Sequence, residues 1–99
     1  IGGGADKNLE YSKYAEVVKK YVKALILFKG AASDKIVQAV GKVKFPLIII
    51  DNMKSAVGLA KDNAKKGDII LLSPGAASFG VFKNEFDRGE QFVELVNRL

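Results

Sequence analysis

Three short stretches of the chain are almost purely aliphatic: Ala24 to Phe28, Leu47 to Ile50 and Ile69 to Leu72. Each is too short for a buried helix of ordinary length, and none alternates apolar with polar residues. Strands covered on both faces read this way, so the pattern predicts a parallel sheet packed between helices. Helical spacing fills the gaps. Tyr14, Val17, Val18, Tyr21 and Val22 predict an amphipathic helix over about residues 9–22. Ile36, Val37 and Val40 predict a second over about 32–41, stopped by Gly41. Met53, Ala56, Val57, Ala60 and Ala64 mark a third, with Asp51 as its expected N-cap and Lys65, Lys66 and Gly67 closing it. Phe92, Val93, Val96 and Leu99 mark a fourth.

Strands alternating with helices imply right-handed crossovers and an open α/β sheet. Ile1 followed by Gly2, Gly3 and Gly4 reads as the last residue of a strand and the turn after it. The expected fold is α/β, a Rossmann-like three-layer α/β/α arrangement with a mostly parallel sheet whose first strand is truncated at Ile1. Residues 1–99 are expected to form a single domain, and an abrupt start inside a strand suggests an excised piece of something longer.

Composition narrows the chemistry. The chain has no cysteine and no histidine. Disulfides, thiol catalysis, a histidine general base and the usual zinc ligand sets are therefore absent, and lack of cysteine fits a cytoplasmic protein. No apolar run approaches the roughly 20 residues of a membrane span, so no membrane partner is expected. The net charge is +5. Its lysines, including Lys13, Lys19, Lys20, Lys35, Lys54, Lys61 and Lys65, are scattered over the polar sides of successive helices and read as solvated surface. Nucleic acid is accordingly not an expected partner.

Ligands of open α/β sheets bind outside the carboxyl ends of the strands, and four loops lie there. The first, Gly2 to Lys7, can hold an anion with backbone amides and a lysine, or can be a tight turn with a surface cation. It matches neither a dinucleotide fingerprint nor a phosphate-binding loop, since no Gly-Lys-Ser/Thr occurs in the chain. The second, Lys29 to Ser33, reads as a generic turn, and the third, Asp51-Asn52, as a helix cap. The fourth, Ser73 to Gly80, has small residues that permit close backbone approach. There Ser78 can cap a helical turn, and the amides of Ser78 and Phe79 can face a carboxylate. The alternative is a capping loop with no ligand. Phe82, Phe86 and Phe92 read as core, and the charged run from Lys83 to Glu90 as a solvated helix start.

The run Leu71-Leu72-Ser73-Pro74-Gly75-Ala76-Ala77-Ser78-Phe79, followed by Phe82-Lys83-Asn84, Arg88-Gly89 and Phe92, resembles the C-terminal signature of the Mur ligases, and most of all their D-glutamate-adding branch. The glycine turn ending in Lys7 fits the same pattern, so the likeness runs from Ile1 to Leu99. Two positions depart from it. Gly80 stands where an acidic residue is common, and Glu85-Phe86 inverts an aromatic-then-acidic order.

The resemblance implies most of the C-terminal, amino-acid-binding domain of a ligase of peptidoglycan precursor synthesis. Such an enzyme activates the carboxylate of UDP-N-acetylmuramoyl-L-alanine with ATP and Mg²⁺, and D-glutamate attacks the acyl phosphate. In that scheme Lys7 pairs with one carboxylate of D-glutamate, while Ser78 and the backbone of Phe79 hold the other. Catalytic residues, ATP, metal and the UDP-binding and ATPase domains would belong to the rest of the ligase, leaving this piece inactive alone. A stand-alone flavodoxin-like or Rossmann-like binding module is the competing reading.

Overall fold

The strand Leu25–Phe28 is the centre of the molecule, with all four residues buried. In the computed structural model, which describes residues 1–99, it is β2 of a three-stranded parallel sheet ordered β1(Gly2–Gly3), β2, β3(Leu47–Ile50). The register pairs Gly2 with Leu27, Gly3 with Phe28, and Leu25 to Phe28 with Leu47 to Ile50. Four helices complete the chain: α1(Ser12–Tyr21), α2(Ala31–Val40), α3(Met53–Asn63) and α4(Glu85–Asn97).

Alternation along β2 sends its side chains to two separate cores. Leu25 and Leu27 meet Tyr11, Ala15 and Val18 at α1, together with Ala32, Ile36 and Val40 of α2. Ile26 and Phe28 meet Met53, Ala56 and Val57 of α3, and Phe82, with Phe92 and Leu95 of α4 packed around them. The result is the expected three-layer α/β/α arrangement, with α1 and α2 on one face and α3 and α4 on the other.

Several expectations change. The glycines are not a turn after a strand: Gly2 and Gly3 are themselves the strand. Neighbours crowd it so closely that a Cβ at Gly2 would lie 2.1 Å from the Tyr14 hydroxyl, and one at Gly3 2.2 Å from that of Ser33.

The segment Ile69–Leu72 is not a regular strand buried on both faces. It runs beside Ile1 in parallel fashion, held by Ile1 N to Leu71 O at 2.8 Å and Ser73 N to Ile1 O at 2.9 Å. The pairing continues at Gly3 N to Pro74 O, 2.8 Å, one residue out of regular register. Ile69 and Leu71 point to solvent, 88% and 63% exposed, because no helix covers that side of an edge segment. Ile49 of the opposite edge strand is also exposed.

Helix faces shift too. α1 buries Tyr11, Ala15 and Val18, a set at i, i+4 and i+7, which turns Val17 and Tyr21 outward. Phe86 is 71% exposed rather than core. Helix α4 directs Phe92 and Leu95 inward, and six residues of helix rotate Phe86 off that face.

The cap of α3 is Asn52, one residue beyond the expected Asp51. Its carbonyl accepts the Ala56 N–H that begins the helix, and its side chain accepts from Ser55 N at 2.7 Å. Asp51 instead accepts from the Asn52 amide at 2.8 Å.

Candidate functional site

The loops after β1 and after the edge segment meet at the carboxyl ends of the strands. Ala5 and Ala77 form an antiparallel bridge, with Ala5 N to Ala77 O at 3.1 Å and Ala77 N to Ala5 O at 2.9 Å. Lys7 lies two residues past one side of that bridge, and Ser78 one residue past the other. Because the pairing is antiparallel, they diverge by about three residue steps, roughly 10 Å of extended chain. A ligand with two anionic ends, met by the four-carbon stem of Lys7, can span that gap.

The β1 loop is fixed from beneath. Gly4 N donates to Ser33 Oγ at 3.0 Å, and Gly4 O accepts from Ala32 N at 3.0 Å. The Ser33 hydroxyl itself donates to the Phe28 carbonyl. The first turn of α2 is thus occupied by Gly4, as suits the plain turn expected at Lys29 to Ser33. Close contact is possible because Gly30 has φ +150°, and a Cβ there would sit 2.2 Å from Gly4 O.

Beyond Ala5 the Asp6 carboxylate gathers three donors. Oδ1 accepts from Asn8 N at 3.0 Å and from the Tyr11 hydroxyl at 3.2 Å, and Oδ2 forms an ion pair with Lys35 of α2. The Lys35 ammonium, with help from Asn8 N, holds the Asp6 carboxyl below its ordinary range. In return the hydrogen bond that Lys35 donates to Asp6 raises the Lys35 pKa. Burial, then the Asp6 carboxylate, pushes the Tyr11 phenol up. Lys7, exposed, takes part in none of the three salt bridges of the chain.

The second loop is anchored at several points. The Tyr14 hydroxyl donates to Ser73 O at 3.0 Å, and the tyrosine ring lies against Gly75, where a Cβ would come within 2.9 Å. Ala76 is buried in the α1/α2 core, and its carbonyl accepts from Arg88 Nη1 at 2.9 Å. Ser78 is buried, and its carbonyl accepts from Phe82 N at 3.0 Å, closing a helical turn. The N–H groups of Ser78 and Phe79 donate to no other group of the backbone. Phe79 is 70% exposed beside them. The true cap of α4 is Asn84, which accepts from Asp87 N at 2.8 Å, while Asp87 accepts from Lys83 N at 3.0 Å. The arrangement resembles a capping box shifted by one residue, since Asp87 reaches back to Lys83 N and not to Asn84 N.

Beside Ser78 lies a depression of about 150 Å³, bounded by Gly4, Phe28, Phe79, Phe82 and Arg88 among others and too tight to hold a water molecule. A typical small-molecule pocket is several hundred Å³. These loops therefore form an open edge, not an enclosed cavity.

Sequence reasoning singled out Lys7, Ser78 and Phe79 and missed Asp6, Lys35, Tyr14 and the bond from Arg88. Asp6 had a readable signal: Asp followed two residues later by Asn is suited to a side-chain-closed turn with a left-handed residue.

No family model matches the chain. It is similar along its whole length to proteins named UDP-N-acetylmuramoylalanine--D-glutamate ligase. The relative from Borreliella afzelii (strain PKo) is 44% identical over 99 residues, covering 100% of this chain and 22% of the relative. That of Clostridium acetobutylicum is 43% identical over 105 residues, with the same coverage. That of Pseudomonas fluorescens is 40% identical over 99 residues, again 22% of its length. The chain thus spans about a fifth of the length of the relatives it matches.

Proposed function

We propose that residues 1–99 are most of the C-terminal domain of an ATP-dependent ligase that joins D-glutamate to UDP-N-acetylmuramoyl-L-alanine, and that they carry part of its D-glutamate site. The observation that carries this reading is the Ala5–Ala77 bridge. It joins the loop that carries Lys7, which makes no salt bridge, to the loop that carries the Ser78 and Phe79 N–H groups, and this supports a ligand with two carboxylates. Lys7 takes one carboxylate as a point charge. Ser78 and the Phe79 N–H take the other. Likeness to relatives whose names specify D-glutamate supports the choice of ligand.

In this reading the chain binds and orients the incoming amino acid. It contains no Gly-Lys-Ser/Thr segment and no group of three acidic residues placed to hold a metal ion. In this reading ATP and Mg²⁺ are held by the rest of the whole enzyme. The isolated chain is expected to be inactive. Membrane attachment is not part of the reading, and no helix is long and apolar enough to cross a bilayer.

A titration of the ¹⁵N-labelled chain with D-glutamate tests the proposal. Weak, saturable shifts are expected at Lys7, Ser78 and Phe79, and Lys7→Ala is expected to abolish them. Shifts confined to the opposite end of the sheet, near Gly41 and Gly67, would overturn it.

A further inference from the structure

We propose that Asp6 and Lys35 are positioning residues that hold Lys7 in place and keep its charge free for a ligand carboxylate, an inference that rests on the function proposed above.

Three observations meet at Asp6. Its Oδ1 accepts the N–H of Asn8, two residues on, which closes a turn around Lys7. Asn8 has φ +60°, and no other non-glycine residue has a positive value. The left-handed conformation is tolerated best by asparagine, aspartate and glycine. The turn is thus a specific one, and the Asp6 side chain stabilises it. On the other flank, Ala5 is bonded in both directions to Ala77. Lys7 therefore sits on a short arc with both ends fixed, one end by the loop that carries Ser78.

The second role is electrostatic. Asp6 is the nearest carboxylate in sequence to Lys7. Left alone, it would compete with any ligand for the Lys7 ammonium. Its Oδ2 is instead paired with Lys35, and its Oδ1 takes the Asn8 amide and the Tyr11 hydroxyl. Lys35 anchors the carboxylate toward α2 and offsets its charge, so one acid orients the loop without quenching the cation it orients. Fixing the arc in advance also lowers the ordering cost that a ligand must otherwise meet.

The test uses the ¹⁵N-labelled 99-residue chain and D-glutamate as probe, with variants Asp6→Ala, Asp6→Asn and Lys35→Met. Asp6→Ala removes the turn and is expected to weaken binding about tenfold, the size of losing one fixed backbone residue. The Ser78 shift at saturation should stay unchanged. Asp6→Asn keeps an oxygen for the Asn8 N–H and is expected to restore most of that affinity, a rescue that mere loss of folding stability would not give. Lys35→Met keeps the turn but releases the Asp6 charge, and is expected to weaken binding while the Lys7 Nζ resonance moves toward that of a paired ammonium. Without ligand, the Asn8 HN–Hα coupling and the Lys7 amide order parameter should change in Asp6→Ala and not in Asp6→Asn.

Native affinity in folded Asp6→Ala, or an unchanged Asn8 coupling there, overturns the positioning role. Native affinity in Lys35→Met overturns the electrostatic one. Should Asp6→Ala fail to fold, Asp6→Asn and Lys35→Met decide: native-like coupling in both, with weaker binding only in Lys35→Met, supports the proposal. Should the native chain ignore D-glutamate, the functional reading fails, while the Asn8 and Lys7 measurements still decide whether Asp6 fixes the arc.

Discussion

The two faces of the sheet are held by different means. On the α1/α2 face a buried side-chain core is joined by close approach of backbone: Gly4 donates its N–H to Ser33 Oγ and accepts from Ala32 N at the first turn of α2, and Gly30 lies against it. On the α3/α4 face the contact is made by side chains. Phe28 and Phe82 meet edge to face, 4.9 Å between centroids at 89°, and α4 has no buried residue of its own. The first arrangement tolerates no added atom. The second tolerates movement at the cost of apolar contact. The loop from Ser73 to Phe82 links them, with Ala76 in one core and Phe82 in the other. The candidate site therefore sits where the rigid face and the looser face are coupled.

The largest expected effect comes from breaking the rigid face. Gly30→Ala forces a side chain into a conformation that L-residues rarely adopt, with a Cβ 2.2 Å from Gly4 O. Backbone is the obstacle, so no rotamer relieves it. We expect a loss of at least ~3 kcal/mol by urea denaturation, combining φ strain with the clash. Gly41→Ala separates the two causes. Gly41 has φ +69° but nothing within 4 Å of an added Cβ, so only the conformational cost of about 1–3 kcal/mol should remain. Equal losses in the two variants would show that close approach does not hold this face together.

Phe82→Ala breaks the other face. Phe82 is 8% exposed, at the rim of its core, so we expect about 3 kcal/mol, the low end for truncating a buried phenylalanine. The distribution matters more than the total. Amide exchange should quicken across Glu85–Asn97 while Ala31–Val40 keeps its protection. A uniform loss over both helices would mean that the faces are one cooperative unit and that the comparison is wrong. Phe86→Ala serves as control: its ring is 71% exposed, and a change within about 0.5 kcal/mol is expected.

The layers were legible in sequence because uninterrupted aliphatic runs report double-sided burial, as Leu25 to Phe28 does. The same rule misjudged Ile69 and Leu71, since an apolar run does not say whether a helix lies over it. Helix existence was readable from periodicity, but the facing direction was not. Val17 and Tyr21 fit the α1 spacing as well as Tyr11 and Ala15 do, and only the position of the sheet chooses between them. Of the site, glycines and small residues marked both loops as places of close approach, and the family resemblance chose Lys7, Ser78 and Phe79 within them. The link between their loops was not visible, because an Ala5–Ala77 bridge leaves no signature in two alanines. Nor was the pairing of Asp6 with Lys35, 29 positions apart on different elements.

Acid separates the faces more gently, and this is the smallest effect expected. Each face carries an aspartate whose pKa is lowered: Asp6 chiefly by the Lys35 ammonium, Asp87 chiefly by the Lys83 N–H and then by Gln91. A carboxyl with a lowered folded pKa contributes stability that is complete above its unfolded value, about 3.9, and is lost as pH falls through the folded value. Both groups therefore stabilise the chain at neutral pH, and that contribution declines as the pH falls below about 4 and on through the lowered folded values. The consequences differ by face. Protonating Asp87 removes one half of the α4 cap, and α4 has no buried residue to hold it. Protonating Asp6 loosens the turn around Lys7, while Gly4 and Ala32 remain bonded. On lowering the pH from 6 to 3, amide protection in Glu85–Asn97 should therefore fall before that in Ala31–Val40. Asp87→Asn should remove most of this difference, whereas Asp6→Asn should leave it in place. Protection lost in step on both faces, or an acid response in α4 untouched by Asp87→Asn, would show that the looser packing of α4 is not what acid acts on.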